Sequence, residues 1–407
     1  MSAAPPEVTS YTRGVASPDE PVPFLTQRLQ GFGTTIFTAM SALAAETGAV
    51  NLGQGFPDTD GPREVADAAI AAIRDGHNQY PPLAGLPVLR DAIAHHRRHH
   101  RGQEFDPADE ILVTTGATEA LAASLLALTG PGDEVVTFEP YYDSYAAGIA
   151  MSGASRRVVT LRGADFAFDP AEFEAAFTSR TRVLLLNTPH NPTGKVFSRA
   201  ELETIARVCI ERDVVVVTDE VYEHLVYEAH EHIPLATLPG MAERTVTISS
   251  AGKIFSFTGW KIGWACGPAP LIAAVRTAKQ FLTFASGGPW QHGVAAGLRL
   301  GDDFFTGYTA EMASKRERLC AGLEAAGFET IRPQGTYFAT VDIRSVGASD
   351  GIEFCMSLPR SAGVVAVPTQ VFYDNEDEGR HLVRFAFCKK DEVLDEAARR
   401  LRAAEEF

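Results

Sequence analysis

Short apolar runs separated by stretches of helical spacing fill the chain from about residue 62 to 290. Five valine-, leucine- or isoleucine-containing runs stand out, at 111–115, 134–138, 183–187, 214–218 and 245–249. Continuous apolar runs that alternate with helices are typical of a mainly parallel sheet buried on both faces. Open α/β sheets bind ligands beyond the carboxyl ends of their strands, so the residues that follow these runs are candidates for a site.

The pattern changes after the break Gly287-Gly288-Pro289. A long helical stretch continues to about Gly327, and shorter apolar runs follow at 336–342 and 381–387. We therefore predict an α/β protein with a large domain at 51–290 and a smaller α+β domain at 291–407. Residues 24–50 include helical spacing over 34–46, and residues 1–23, rich in Pro, Ser and Thr, are predicted to form a flexible leader.

Composition and charge narrow the functional classes. The 407 residues carry a formal charge of -16 with no long basic stripe, which argues against a nucleic-acid partner. No apolar run of 18 residues and no signal-like segment is present, so we expect a cytoplasmic protein without a membrane partner. The five cysteines lack C-x-x-C spacing, which favours reduced thiols; they are Cys209, Cys266, Cys320, Cys355 and Cys388.

One cationic cluster, His-His-Arg-Arg-His-His-Arg at 95–101, ends a helical pattern that begins near Leu86. Cations interact favourably with the negative end of a helix dipole, so we predict a solvated helix terminus. Adjacent histidines point to different helix faces and no second group of ligands is visible, so no metal site is predicted.

A single lysine carries the most specific chemical signal. The first 194 positions contain no lysine, yet Lys253 follows directly after the fifth apolar run, in Ser249-Ser250-Ala251-Gly252-Lys253, with Lys261 eight positions on. A lysine on a tight turn at the carboxyl end of a strand suits covalent capture of an anionic aldehyde. The alternative is a surface turn with a solvated lysine.

Three other segments suggest anion or charge recognition. Gly116-Ala117-Thr118 opens a helix whose free N–H groups could hold a phosphate, although alone it would be an ordinary N-cap. Asp219 closes an apolar run, where a buried carboxylate needs a partner; a helix N-cap is the alternative. Arg384 lies in an apolar strand and needs an anion, either a substrate carboxylate or an internal acid.

Eight separated motifs resemble, in order, the class I (fold-type I) aminotransferases that use pyridoxal 5'-phosphate, and within them the kynurenine aminotransferase-like group. The resemblance extends from about Phe24 to the C-terminus and includes bacterial enzymes assigned to N-succinyl-diaminopimelate. The motifs are NLGQGFPD from Asn51, NQYPPLAGLPVLR from Asn78, TGATEAL from Thr115, EPYYDSY from Glu139, NTPHNPTGKVFS from Asn187, TDEVYEHL from Thr218, SSAGKIFSFTGWKIGW from Ser249 and RFAFCK from Arg384.

The resemblance implies catalytic roles for three residues. Lys253 would bind the cofactor covalently and move a proton, Asp219 would pair with the pyridine nitrogen, and Tyr222 would hydrogen-bond the phenolic oxygen. It also implies that residues 24–50 pack on the small domain.

Further roles follow from the same resemblance. Asn191 would share the phenolic oxygen, and Tyr142 would stack on the cofactor ring, although Tyr141 is an alternative for that position. The phosphate would be held by Ala117, Thr118, Ser250 and Lys261, and by Tyr80 of the other subunit of a homodimer. The substrate would be bound by Arg384, Asn191, Gly55 and Phe37.

The implied reaction moves an amino group from an L-amino acid to a 2-oxo acid, expected to be 2-oxoglutarate. Kynurenine aminotransferases carry a histidine before the position of Pro289, where this chain has small residues at 285–288, and we expect these to leave room for a long substrate such as N-succinyl-diaminopimelate. Kynurenine-, glutamine- or methionine-type transamination and β-lyase cleavage of cysteine conjugates are alternatives. A cofactor-binding transcription regulator would need an N-terminal winged helix-turn-helix.

Overall fold

A computed structural model describes residues 22–33, 35–404 and 407 of the chain. The α-helices are Ile36–Thr47 (α1), Arg63–Arg74 (α2), Pro87–Arg101 (α3), Gly116–Leu128 (α4), Asp143–Ser152 (α5), Pro170–Ala175 (α6), Arg199–Glu211 (α7), Ala251–Ile254 (α8), Ala269–Gln280 (α9), Gly288–Gly297 (α10), Asp302–Ala325 (α11), Gly351–Ser361 (α12), Glu376–Gly379 (α13) and Asp391–Ala403 (α14). The β-strands are Val50–Asn51 (β1), Ile111–Thr114 (β2), Glu134–Glu139 (β3), Ser155–Thr160 (β4), Thr181–Asn187 (β5), Val215–Asp219 (β6), Thr245–Ser250 (β7), Gly263–Cys266 (β8), Glu329–Ile331 (β9), Phe338–Asp342 (β10), Val364–Val365 (β11), Val367–Pro368 (β12) and Leu382–Ala386 (β13).

A seven-stranded sheet in the order β2-β8-β7-β6-β5-β3-β4 organises the larger part of the fold. Strands β7, β6, β5, β3 and β4 run parallel, and β8 pairs antiparallel with both β2 and β7. All five predicted runs are strands of this sheet, which confirms the predicted α/β class. The sequence pattern missed β4, an edge strand with the polar start Ser-Arg-Arg, and the four-residue β8.

Both faces of this sheet are buried, as the continuous apolar runs predicted. Alternate residues of one strand enter different cores: Leu184 and Leu186 of β5 pack with α7, whereas Val183 and Leu185 pack with α4 and α5. A strand covered on both sides cannot show polar alternation, which explains its sequence pattern.

The C-terminal region contains a four-stranded antiparallel sheet in the order β12-β13-β10-β9. Strand β1 pairs in parallel with β11, and α1 packs against α12, so the segment before residue 52 contacts the C-terminal region. The domain boundaries themselves stay a prediction. Residues 1–21 of the predicted leader lie outside the described residues. Among the helices that the structure describes, none is long and apolar enough to cross a membrane.

Candidate active site

A cavity of about 380 Å³ opens at the carboxyl edge of the large sheet. Its wall contains every predicted site residue except Tyr80: Phe37, Gly55, Ala117, Thr118, Tyr142, Asn191, Asp219, Tyr222, Ser250, Lys253, Lys261 and Arg384. Tyr80 is 84% exposed and its ring contacts Phe284 edge-on. The chain thus gathers residues more than 340 positions apart at one place.

Parallel strand ends explain this convergence. Strands β5, β6 and β7 are neighbours and end at Asn187, Asp219 and Ser250, so these three residues meet at one edge of the sheet. Asn187 pairs in register with Asp219 and donates its side-chain amide to the Asp219 carbonyl at 2.8 Å. The β-strand register therefore fixes the floor of the cavity.

Lys253 lies in α8, the single helical turn that follows β7. Its Nζ donates to the Gly55 carbonyl at 3.2 Å, and the same oxygen accepts the Tyr337 hydroxyl at 2.6 Å. Burial lowers the pKa of Lys253 to about 8. An amine with this pKa is partly neutral near pH 7 and can act as a nucleophile and a base.

Asp219 is 4% exposed at the end of β6. Its Oδ2 accepts the Tyr145 hydroxyl at 2.6 Å, and its Oδ1 accepts the Val221 amide at 3.3 Å. Burial raises the pKa of Asp219 to about 6, although both hydrogen bonds oppose the shift. Such a carboxylate gains by pairing with a cationic N–H group of a ligand.

Tyr145 is the clearest residue that the sequence interpretation missed. It lies on α5, four positions after Tyr141, and is buried. Three tyrosines occur in EPYYDSY, and helical spacing alone does not show which of them reaches Asp219. Only the packing of α5 on the sheet makes that contact.

A cradle for a phosphate-sized anion lies where α4 begins. The first residues of α4, Gly116 to Thr118, have free N–H groups, and Ser250 and Lys261 line the same part of the cavity. Gly116 has φ +74°, and an added Cβ would approach Lys261 Nζ at 3.2 Å. A Cβ on Gly263 would come within 2.6 Å of the Gly116 carbonyl carbon. These glycines let the helix end, Lys261 and β8 approach one another.

Arg384 is 1% exposed on β13. Its Nη1 donates to Asn191 Oδ1 at 2.8 Å and its Nη2 to the Gly53 carbonyl at 3.2 Å, while its Nε lacks a partner. In the described part of the chain no carboxylate forms an ion pair with it, so the internal salt bridge considered above is wrong. A buried guanidinium that lacks a counter-ion is suited to bind a carboxylate from outside.

Aromatic rings surround this guanidinium. Its Cζ lies 4.0 Å from the ring centre of Phe338, 5.3 Å from Phe37 and 5.5 Å from Phe372. Burial lowers the pKa of Arg384 to about 10. Phe338 and Phe372 were not predicted as site residues, because nothing in an apolar run separates a site wall from a core position.

The two candidate tyrosines for the ring-stacking position lie in different surroundings. Tyr142 lines the cavity, whereas Tyr141 is buried and donates its hydroxyl to Asp374 at 2.5 Å. Gly55 was predicted to let its backbone approach a substrate. An added Cβ there would lie 2.6 Å from Phe338, so the residue is also required for packing.

The small residues at 285–288 were expected to leave room in the cavity for a long substrate. None of them lines its wall, and an added Cβ at Gly287 would lie 2.5 Å from Trp290, while one at Gly288 would lie 3.0 Å from the His77 carbonyl. Protein atoms therefore occupy the space beside Gly287 and Gly288 that a side chain would fill. The expectation that residues 285–288 make room for a long substrate therefore stays a prediction.

The predicted solvated terminus of α3 is partly wrong as well. Arg97 has a fully buried side chain that donates to Glu223 at 2.6 Å, to Glu220 at 2.8 Å and, through Nε, to Gln103 at 2.9 Å. His96 is only 1% exposed. Tertiary packing brings α3 against the loop after β6, where two acids are available to pair with Arg97.

These two acids alternate with the predicted site residues. Asp219 and Tyr222 line the cavity, while Glu220 and Glu223 pair with the buried Arg97. Glu223 also accepts the Ser249 hydroxyl at 2.7 Å, which joins the loop to β7. We call Arg97, Gln103, Glu220, Glu223 and His232 the buried network; His232 contacts Glu220 at 3.1 Å.

Comparisons with known proteins find relatives over most of the chain. Residues 47–401 match the family model described as aminotransferase class I and II. A probable N-succinyldiaminopimelate aminotransferase, DapC, of Mycobacterium tuberculosis is 52% identical over 92% of this chain and 97% of that protein. The methionine aminotransferase of Escherichia coli is 40% identical over 92% of this chain and 97% of that protein. The solved N-succinyldiaminopimelate aminotransferase of M. tuberculosis superposes with a TM-score of 0.91 and 52% identity, covering 93% of this chain and 99% of that one.

Proposed function

Because this chain belongs to the class I and II aminotransferases, we propose that it uses pyridoxal 5'-phosphate to move the amino group of N-succinyldiaminopimelate to 2-oxoglutarate. The family assignment gives the reaction type, and the 52% identity to the M. tuberculosis protein supports the substrate. The observation that carries the site assignment is the buried Arg384, which forms no ion pair with a carboxylate of the described residues and lines the same cavity as Lys253.

The residues of the cavity fit this cofactor. The α4 terminus, Ser250 and Lys261 form a cradle for its phosphate, and the cavity holds the nearly buried carboxylate of Asp219 for its pyridine N–H. Asn191 accepts from Arg384 through Oδ1, which leaves its Nδ2 as a donor toward the cavity, beside Tyr222. Lys253 supplies the amine for covalent attachment. When bound, the cofactor supplies an electron sink for negative charge at the substrate Cα.

The side chains of this protein would then orient the substrate and move its proton. Arg384 binds the α-carboxylate through its planar fork, since Nε is unpaired and the surrounding rings exclude water. Lys253 Nζ takes the proton from Cα, and its pKa of about 8 keeps enough of the amine neutral for this step. Asp219 would pair with the positively charged pyridine N–H of the cofactor, and the Tyr145 hydroxyl orients the Asp219 carboxylate.

We further propose a cytoplasmic homodimer in which Tyr80 completes the partner's phosphate site. Tyr80 is 84% exposed, Phe281 is 80% exposed and Phe284 is 46% exposed, so an apolar surface is available beside the loop after α9. Light scattering would give the mass in solution, and a monomer would contradict this part of the proposal.

Borohydride reduction followed by peptide mapping tests the site. We expect the label on Lys253, with Lys253→Ala inactive and unlabelled. Lys390→Ala, which changes an exposed lysine outside the cavity wall, is the matched control and should retain the label and full activity. Labelling elsewhere, or full transamination by Lys253→Ala, would refute the assignment.

A donor screen with 2-oxoglutarate tests the substrate separately. We expect kcat/KM for N-succinyldiaminopimelate to exceed that for methionine and kynurenine. If methionine or kynurenine were preferred, the substrate proposal would fail while the aminotransferase assignment stood. Pyruvate release from a cysteine conjugate without a 2-oxo acid would identify a β-lyase.

A further inference from the structure

Two histidines at the end of α3 face the first residue of α11. His99 Nε2 lies 2.7 Å from Asp302 Oδ1, and His100 Nε2 lies 4.0 Å from the same oxygen. The three donor atoms all lie within 4.8 Å of one another. The sequence predicted no metal site because adjacent histidines point to different helix faces and no second group of ligands was visible. Both rings nevertheless reach Asp302, about 200 positions away, through the packing of α11 on α3.

One of the three side chains is already fixed in place. The His100 ring packs against His96 at 4.6 Å, His224 at 5.2 Å and Phe305 at 4.7 Å, and its side chain is 16% exposed. The side chains of His99 and Asp302 are 50% and 66% exposed, so they can adjust their rotamers. The rigid ligand fixes where the ion would lie, and the two adaptable ligands can adjust to it at the cost of some rotamer freedom.

The surrounding charges permit a cation here. Arg97 and Arg101 lie on the same helix, but both pair with the buried Glu223, and Arg97 also pairs with Glu220. The last turn of α3 adds the negative end of a helix dipole. The chain as a whole carries a formal charge of -16, which also favours cation binding.

We propose that His99, His100 and Asp302 bind a divalent cation of the Zn²⁺ or Co²⁺ class, with water in the remaining position. Ligand bonds of about 2.0–2.1 Å in tetrahedral geometry place neighbouring donor atoms about 3.4 Å apart. The distances of 2.7 and 4.0 Å lie on either side of this value and the remaining pair of donor atoms lies within 4.8 Å, so movements of about 1 Å complete the site. Two imidazoles select Zn²⁺ or Co²⁺ over Mg²⁺ and Ca²⁺, which prefer oxygen ligands.

Such an ion would connect α3 to α11 beside the active site. Further along α11, the Tyr308 hydroxyl donates to the Lys253 carbonyl at 2.9 Å, and the Thr309 hydroxyl donates to the His224 carbonyl at 2.6 Å. The ion therefore stabilises the packing of the helix that supports Lys253. It does not touch the cavity itself.

Equilibrium dialysis of the cofactor-loaded protein against Zn²⁺ in phosphate-free buffer tests this site. We expect one tightly bound equivalent in the wild type, at least tenfold weaker binding by His99→Ala and by Asp302→Ala, and no displacement by excess Mg²⁺. His95→Ala is the matched control, because His95 stacks on His99 at 6.1 Å but lies outside the triad. It should bind as the wild type does.

Thermal unfolding is a second test, and it also detects weak binding of Zn²⁺. Zn²⁺ should raise the thermal midpoint of the wild type and of His95→Ala, and leave that of Asp302→Ala unchanged, since only a ligand of the folded state stabilises it. The proposal is overturned if the wild type binds no Zn²⁺. It is overturned equally if His95→Ala weakens binding as much as His99→Ala does, because the site would then be the His95–His99 pair.

Discussion

Replacing Arg97 by methionine removes the central cation of the buried network and keeps much of the side chain's volume. Glu220 and Glu223 have fully buried side chains, so both carboxylates would lose a charged partner without gaining water. Removing one partner of a buried ion pair costs about 3–5 kcal/mol. Glu223 would keep Arg101 at 2.9 Å, whereas Glu220 would keep the Thr218 hydroxyl at 3.0 Å and the ring of His232 at 3.1 Å. We therefore expect the free energy of unfolding to fall by about 3 kcal/mol, near the lower limit of this range.

The pH dependence of this loss has a defined sign. Burial by itself raises the pKa of Glu220, but Arg97 and His232 outweigh it, so the pKa lies below the usual value. The stability that Glu220 adds to the wild type is therefore present above its unfolded pKa and is lost as pH falls. Without Arg97 the effect of burial dominates and the pKa rises. The difference between wild type and variant should then shrink from pH 8 to pH 5.

Urea unfolding at fixed protein and cofactor concentrations measures the effect through tryptophan fluorescence. Arg97→Met/Glu220→Gln should recover part of the loss, because a neutral amide replaces the stranded carboxylate. Arg207→Met is the control: its partners Glu174 and Glu211 are exposed on the surface, and the midpoint should not move. An unfolding midpoint of Arg97→Met within error of the wild type would refute the reasoning.

Three further predictions concern the cavity. Arg384→Lys loses the planar fork, so KM for the amino donor should rise at least tenfold with a smaller fall in kcat; an unchanged KM would contradict carboxylate binding there. Tyr145→Phe removes a hydrogen bond that lowers the pKa of Asp219, so cofactor affinity in a fluorescence titration should fall severalfold at pH 7. In the cofactor-free protein, labelling of Lys253 by an amine reagent should increase through pH about 8 as the neutral amine forms. A midpoint near the ordinary lysine value would show that burial does not lower this pKa.

Much of the site could be predicted from local sequence because its residues follow strand ends. Asp219 comes directly after an apolar run and Lys253 four positions after one, and parallel strands bring such positions together. Tyr145 and Phe338 could not be predicted in this way. Their spacing is that of any core residue, and their contacts depend on how α5 and β10 pack on the sheet.

The apolar runs, their order and the chemistry of the residues that follow them determined the α/β fold and most of the cavity wall. Tertiary packing alone decided the rest: the burial of Arg97, the absence of a carboxylate partner for Arg384 among the described residues, the close packing at Gly287 and Gly288, and the contact between His99 and Asp302. The physical reason is that strand periodicity is a local property of the chain. Burial and charge pairing depend on segments tens to hundreds of residues apart, and no local pattern specifies which of them will meet.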